Sequence, residues 1–152
     1  MNIIYVDYEN VRESWISEID NIDKNWKIYI IAGENDILHI SNLEKLIETG
    51  VKFEVFTVKT GCKDALDFQL IVHLIAKYKK DNMYYIVSKD KGYEFAIEMA
   101  KKLGKENIER CDSVLEVIES YKKLKEIDVV SKDSDTDIAV IAPVIVGNIS
   151  QG

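Results

Sequence analysis

Cysteine is scarce in this chain. Cys62 and Cys111 are the only two, with no metal-type spacing between them. A disulfide framework is therefore not expected, and the pair reads as buried small hydrophobes of a reduced, cytoplasmic protein. Histidine is as rare: His39 and His73 lie far apart, His73 within a helical pattern, and neither suggests a ligand. No glycine-rich phosphate loop is present, since Gly33 and Gly61 are isolated. No uncharged run approaches the roughly 20 residues that a membrane helix needs. The opening Met-Asn-Ile-Ile-Tyr-Val-Asp also lacks the basic and long apolar regions of a signal peptide. Basic residues are outnumbered, 20 Lys and Arg against 27 Asp and Glu, and the net charge of −7 weakens any nonspecific grip on nucleic acid. It does not exclude a nuclease, because catalytic carboxylates themselves add negative charge.

What remains is an ordinary globular composition, 47% hydrophobic and 31% charged over 152 residues, the size of one domain. The chain is organised around Ile3 to Asn10. Ile3, Ile4, Tyr5 and Val6 run without alternation into Asp7, Tyr8, Glu9 and Asn10. Such a run reads as a strand buried on both faces, the central strand of a parallel sheet, with Asp7 at its carboxyl end.

Further elements follow in order. Val11 to Ile22 spaces its apolar residues as one face of an amphipathic helix, with Asn10 as a suitable cap. Trp26–Ala32 is a second strand, Ile37–Thr49 a helix closed by Gly50, and Val51–Val58 a third, less buried strand. Ala65–Tyr78 places Ala65, Leu66, Phe68, Leu70, Ile71, Leu74, Ile75 and Tyr78 on a broad apolar face, a core helix. Met83–Val87 is a strand, Glu94–Leu103 a helix stopped by Gly104, Asn107–Cys111 a short strand, and Ser113–Leu124 a helix opened by a capping box of Ser113 and Glu116. This alternation predicts an α/β fold, a three-layer α/β/α sandwich around a mostly parallel sheet. The domain is expected over residues 1–125. Residues 126–152 form a tail, with Val130–Asp137 a solvated linker and Ile138–Val146 a β-prone segment suited to an edge, because Pro143 cannot donate to a ladder. That segment adds a strand to its own fold or to a second copy, so a homodimer or higher oligomer is open.

Several element ends carry carboxylates: Asp7 after the first strand, Asp64 and Asp67 at the start of the Ala65 helix, and Asp90 after the fourth strand. Glu9 and Glu94 lie close behind. In a doubly wound sheet these ends can converge on one crevice. Two carboxylates about 4 Å apart repel by roughly 4 kcal/mol at an effective dielectric near 20. Protons or a divalent cation must therefore neutralise the group, and Mg²⁺ or Mn²⁺ suits an all-oxygen site. Taken singly, each aspartate is more simply a turn or cap residue, Asp64 above all. Lys59, Lys63, Lys89 and Lys91 flank the crevice and can hold phosphates. Ser88 can orient Asp90, meet a phosphate or make a local turn bond. Tyr8 and Tyr93 border the crevice, either to stack on bases or to pack beneath the loops.

Three blocks together carry a resemblance: Tyr5 to Asn10, Lys63 to Phe68 (Lys-Asp-Ala-Leu-Asp-Phe) and Val87 to Tyr93 (Val-Ser-Lys-Asp-Lys-Gly-Tyr). In order and spacing they resemble the signature blocks of PIN-like domains, most nearly the NYN and related bacterial PIN-like nucleases. Those blocks read roughly Asp-x-x-Asn, Lys-Asn-Ala-Leu-Asp-Phe and Ser-x-Asp-x-Gly-Phe. The resemblance spans about residues 1 to 122. It implies metal-dependent endonucleolytic cleavage, usually of RNA, with Mg²⁺ or Mn²⁺. Asp7, Asp67 and Asp90 match the catalytic and metal-ligand aspartates, and Asn10 matches the asparagine that orients the first block. Asp64 stands where asparagine is common, and Gly92 where many NYN members have a further aspartate, for which Glu94 is a candidate substitute. Asp64 and Glu94 are thus possible additional ligands, Glu9 a supporting carboxylate, and Asn10, Lys63, Ser88, Lys89 and Lys91 the substrate-contacting set. Two other readings stay open. One is a non-catalytic module that binds RNA or a protein. The other is a phosphohydrolase with Asp7 as nucleophile, which would favour Asp-x-Asp where this chain has Asp7-Tyr8-Glu9.

Overall fold

Buried on both faces, as its unbroken apolar run requires, β1 (Asn2–Asp7) takes the centre of a five-stranded, all-parallel sheet. The computed structural model describes residues 1–141, with side chains as far as Val129. The other strands are β2 (Trp26–Gly33), β3 (Lys52–Val58), β4 (Met83–Val87) and β5 (Ile108–Cys111), and the order across the sheet is β3-β2-β1-β4-β5. β3 is one of the two edges, and its mixed composition fits: all but two of its residues are exposed. Register sets Val6 beside Val87 and Asp7 beside Ile31, so β1 and β4 end level and Asp7 faces Ser88.

Alternate residues of the strands face opposite layers. Ile3, Tyr5, Tyr29, Ile31, Tyr84 and Ile86 form one side of the core with Leu66, Leu70 and Leu74 of α3 (Ala65–Lys77) and with Tyr93, Ile97 and Ala100 of α4 (Tyr93–Lys102). The residues between them, Ile4, Val6, Ile28, Ile30, Tyr85 and Val87, are equally buried on the other side. Helices before and after the strands complete the α/β/α sandwich: α1 (Tyr8–Val11), a 3-10 helix over Ser14–Asn21, α2 (Ile40–Glu48) and the first turn of α5 (Val114–Ile141), where Val114 and Val117 are buried. Gly50 and Gly104, at φ +74° and +89°, end α2 and α4 in the left-handed conformation that glycine adopts without a Cβ penalty.

Four local expectations are corrected. The Val11–Ile22 helix is instead one turn of α-helix and a 3-10 helix. Ile16, Ile19 and Ile22 recur every three residues and are all buried, the spacing that eclipses in a 3-10 helix. Asn10 does not cap; Asp7 does, its Oδ1 accepting from the Asn10 N–H at 3.2 Å. On α3 Leu66, Leu70 and Leu74 are fully buried and Ile71, Ile75 and Tyr78 pack partly buried against the same cluster, but Phe68, like Val72, faces solvent. The last helix runs to Ile141, so Val130–Asp137 is helical rather than a linker and Ile138–Ile141 does not open a strand. No glycine or proline lies between Gly104 and Pro143, so nothing in that stretch breaks the helix. Residues 142–152, which hold the rest of the proposed strand and with it the strand-mediated dimer, lie outside the described residues. The capping box forms with a shift of one: Ser113 Oγ accepts from the Glu116 N–H, but Glu116 Oε2 accepts from Asp112 N rather than Ser113 N. The chain divides into two compact units, Met1–Val117 and the part from Ile118 onward. No helix among the described residues is long and apolar enough to cross a membrane.

Candidate active site

The strand order reverses between β1 and β4: β2 and β3 lie to one side of β1, β4 and β5 to the other. At such a switch point the crevice outside the carboxyl ends is the natural place for a ligand. Asp7 closes β1 there and is only 2% exposed. Each of its oxygens is used. Oδ1 accepts from the Asn10 N–H, and Oδ2 accepts from Ser88 Oγ and from the Tyr93 hydroxyl, both at 3.0 Å. Burial pushes the Asp7 carboxyl above its ordinary value, the three donors pull it back, and the charge of Asp90 adds to the rise. Asp7 thus ties the ends of β1, β4 and α4 together from within.

Ser88 is wholly buried and carries the link onward: its Oγ donates to Asp7 and accepts from the Asp90 N–H at 3.1 Å. Asp90 Oδ1 in turn accepts from the Gly92 N–H at 2.8 Å, an Asx turn that enters α4. A Cβ on Gly92 would meet Asp90 Oδ1 at 3.0 Å, so the absence of a side chain there lets Asp90 lie back on its own loop. Asn10, expected to touch substrate, has its side-chain oxygen on the Lys89 N–H at 2.8 Å and clips the two loops together.

In front of this buried network Asp64, Asp67 and Asp90 each present a carboxylate oxygen, all within 4.8 Å of one another. Asp64 precedes α3 with φ +63° and makes no side-chain cap. Among residues with a side chain, Asp and Asn tolerate the left-handed conformation best, which suits Asp64 to this position. Asp67 sits in the first turn of α3, its Oδ1 3.1 Å from the Tyr93 hydroxyl that also reaches Asp7. One hydroxyl proton faces two carboxylates. Burial above all, then a hydrogen bond to Asp90 and the charge of Asp7, raise the Asp67 carboxyl to about 7. The three outer carboxylates line a cavity of about 340 Å³ together with Lys63, Phe68 and Tyr93. All three donors are hard anionic oxygens, and burial, with neighbouring Asp90 and Asp7, disfavours the charge that Asp67 carries without a counter-ion. That donor set fits a divalent cation such as Mg²⁺ or Mn²⁺.

Of the residues expected at the site, Asp67 and Asp90 meet in one cluster with Asp64, and Asp7 reaches it through Tyr93. Glu9 lies away from it, in a separate cavity with Glu34, Asp36 and Lys59. Glu94 is held by the Arg110 guanidinium at 3.2 Å and is not among the clustered acids. Arg110 itself bonds Ser88 O and Asp112, bracing the end of β4, a role that a lone arginine in Ile-Glu-Arg-Cys did not announce. Tyr8 and Tyr93 are both 3% exposed, so they pack rather than stack on bases. The bridging role of the Tyr93 hydroxyl was also unforeseen. Its signal was a tyrosine where the resembling block has phenylalanine.

The PIN7 family model, described as PIN domain, matches residues 1–110. No curated protein and no solved structure matches the chain.

Proposed function

Because this chain belongs to the PIN domain family, whose members are generally metal-dependent nucleases, we propose that it is a metal-dependent endoribonuclease of the NYN-like branch, acting on single-stranded or structured RNA. The observation that carries this reading is the cluster of Asp64, Asp67 and Asp90 at the switch point of the sheet. These three would hold Mg²⁺ or Mn²⁺. A cation bound there supplies Lewis-acid polarisation of a phosphoryl oxygen and the activation of water.

The chain's own residues do the rest. Asp7, Ser88 and Tyr93 form a buried scaffold that fixes the carboxylates before substrate arrives. Asp67, its carboxyl raised to about 7 by burial and by Asp90 and Asp7, would give up its proton when a cation binds there. Lys63 lines the same cavity and offers a point charge to a phosphate, while Lys89 and Lys91 stand on the loop that carries Asp90. Asp7 itself is a poor nucleophile, buried and with both oxygens occupied, which weighs against the phosphohydrolase reading. The pairing of Glu94 with Arg110 leaves the position of Gly92 uncompensated and, with the net charge of −7, favours a non-catalytic module. We place the protein in the cytoplasm, a reading supported by its two unpaired cysteines.

The test is cleavage of end-labelled single-stranded RNA and DNA with Mg²⁺, with Mn²⁺ and with chelator. We expect metal-dependent cleavage of RNA that Asp90→Asn lowers by orders of magnitude while the fold is kept. Full activity in that variant, or cleavage that survives chelation, contradicts the assignment.

A further inference from the structure

We propose that the apolar groove between β3 and α3 is a base-stacking subsite, with the exposed Phe68 ring as its platform. Its occupant is a nucleotide of the strand whose phosphodiester lies at the acidic cavity. The inference rests on the nuclease reading and adds what holds the substrate.

Phe68 follows Asp67 directly in α3. It is 68% exposed, whereas Leu66, Leu70 and Leu74 of the same helix are fully buried. Val72, one turn on, is as exposed, and Phe56 of the edge strand faces the same space. Together with Val58 and Gln69 they border a groove of about 380 Å³ that no charged side chain lines. That volume suits one ring system rather than a protein interface, which needs about 800 Å² from each partner.

Continuity identifies the occupant. Phe68 lines this groove and the acidic cavity alike, so a strand with a phosphate at Asp64, Asp67 and Asp90 has a neighbouring base beside the ring. The tyrosines nearer the carboxylates are buried and cannot serve. One polar atom in the groove wall suits a base edge. Gln69 spends both amide hydrogens on Lys59 O and Ala65 O, each at 2.9 Å, leaving its oxygen to accept from an exocyclic amine. Charge supplies the last argument. A net charge of −7 weakens the grip on a polyanion through its phosphates, whereas stacking works for any base and needs no charge.

The experiment uses the full chain and a short single-stranded RNA with 2-aminopurine at successive positions, mixed with Ca²⁺ in place of Mg²⁺ or Mn²⁺, so that the carboxylates are neutralised and binding is read without turnover. We expect quenching at one position. Phe68→Ala, at an exposed site and with an unchanged melting curve, should weaken binding about 10- to 100-fold, the cost of one lost stack. Phe68→Trp should restore it. With Mg²⁺ or Mn²⁺ present, Phe68→Ala should raise KM more than it lowers kcat, and an abasic nucleotide at the quenched position should cost wild type but not the variant. Equal quenching and affinity in wild type and Phe68→Ala overturns the proposal. So does a Phe68-dependent dimer seen by sedimentation without quenching, which would make the groove a contact between copies. Phe68-dependent quenching without any cleavage supports the subsite and removes the nuclease reading instead.

Discussion

Asp67→Asn should stabilise the metal-free protein, and only at neutral to alkaline pH. In the folded chain the Asp67 carboxyl lies near 7 because it is buried, bonded to Asp90 and close to Asp7, while an unfolded chain has the ordinary 3.8. Its folded value is raised, so the native state binds the proton that the unfolded chain releases. Stability from this group is therefore intact below about 4, falls as pH rises, and is fully lost above about 7. A rise of that size corresponds to about 4 kcal/mol without screening, and partial exposure of the carboxyl reduces it to about 2 kcal/mol. Asparagine keeps the volume and never ionises. Urea unfolding in chelator should thus show Asp67→Asn about 2 kcal/mol more stable than wild type at pH 8 and nearly equal at pH 4.5. In a domain of this size that is a melting shift of roughly 4–8 °C. Adding Mn²⁺ at 100 times its dissociation constant should reverse the order, stabilising wild type by about 2.7 kcal/mol and the variant far less. A variant destabilised equally at both pH values, or two proteins that respond identically to Mn²⁺, would refute the reasoning.

The scaffold behind the cluster gives further expectations. Tyr93→Phe removes a donor from Asp7 and Asp67, so both carboxyls should move up. The acidic limb of the pH–rate profile should shift to higher pH, with about 1–2 kcal/mol of stability lost in urea. Gly92→Ala sets a Cβ 3.0 Å from Asp90 Oδ1 at an ordinary helical φ, so cleavage should fall while the melting temperature barely changes. Glu94→Gln loosens an exposed ion pair with Arg110 and should leave cleavage within about twofold of wild type in the same assay.

Much of the fold was legible because burial leaves a plain trace. The unbroken apolar runs Ile3–Val6 and Met83–Val87 announced β1 and β4, and the position of Asp7 at the carboxyl edge followed from the topology. Patterns that are apolar without being buried misled. Phe68 reads as core in an α3 dense with hydrophobes, yet it faces solvent while Leu66, Leu70 and Leu74, flanked by the partly buried Ile71 and Ile75, pack into the core. The 3-10 helix escaped because spacings of three and four mix in Val11–Ile22. The tail misled for the opposite reason: polar composition suggested a linker where nothing actually breaks the helix before Ile141. At the site, residue types located the aspartates but not their division of labour. That Asp7 is a buried brace while Asp64 faces the cavity depends on the bonds from Ser88, Tyr93 and Asn10, which only the folded chain displays.

The central claim is that the outer carboxylates form a divalent-cation centre braced from behind by Asp7. Diffraction from crystals soaked in Mn²⁺, measured at the manganese edge, tests it directly. The account predicts one or two anomalous peaks within coordination distance of Asp64, Asp67 and Asp90 oxygens, lost in Asp67→Asn crystals treated alike. Manganese bound only elsewhere, or none at a concentration that supports cleavage, would contradict it.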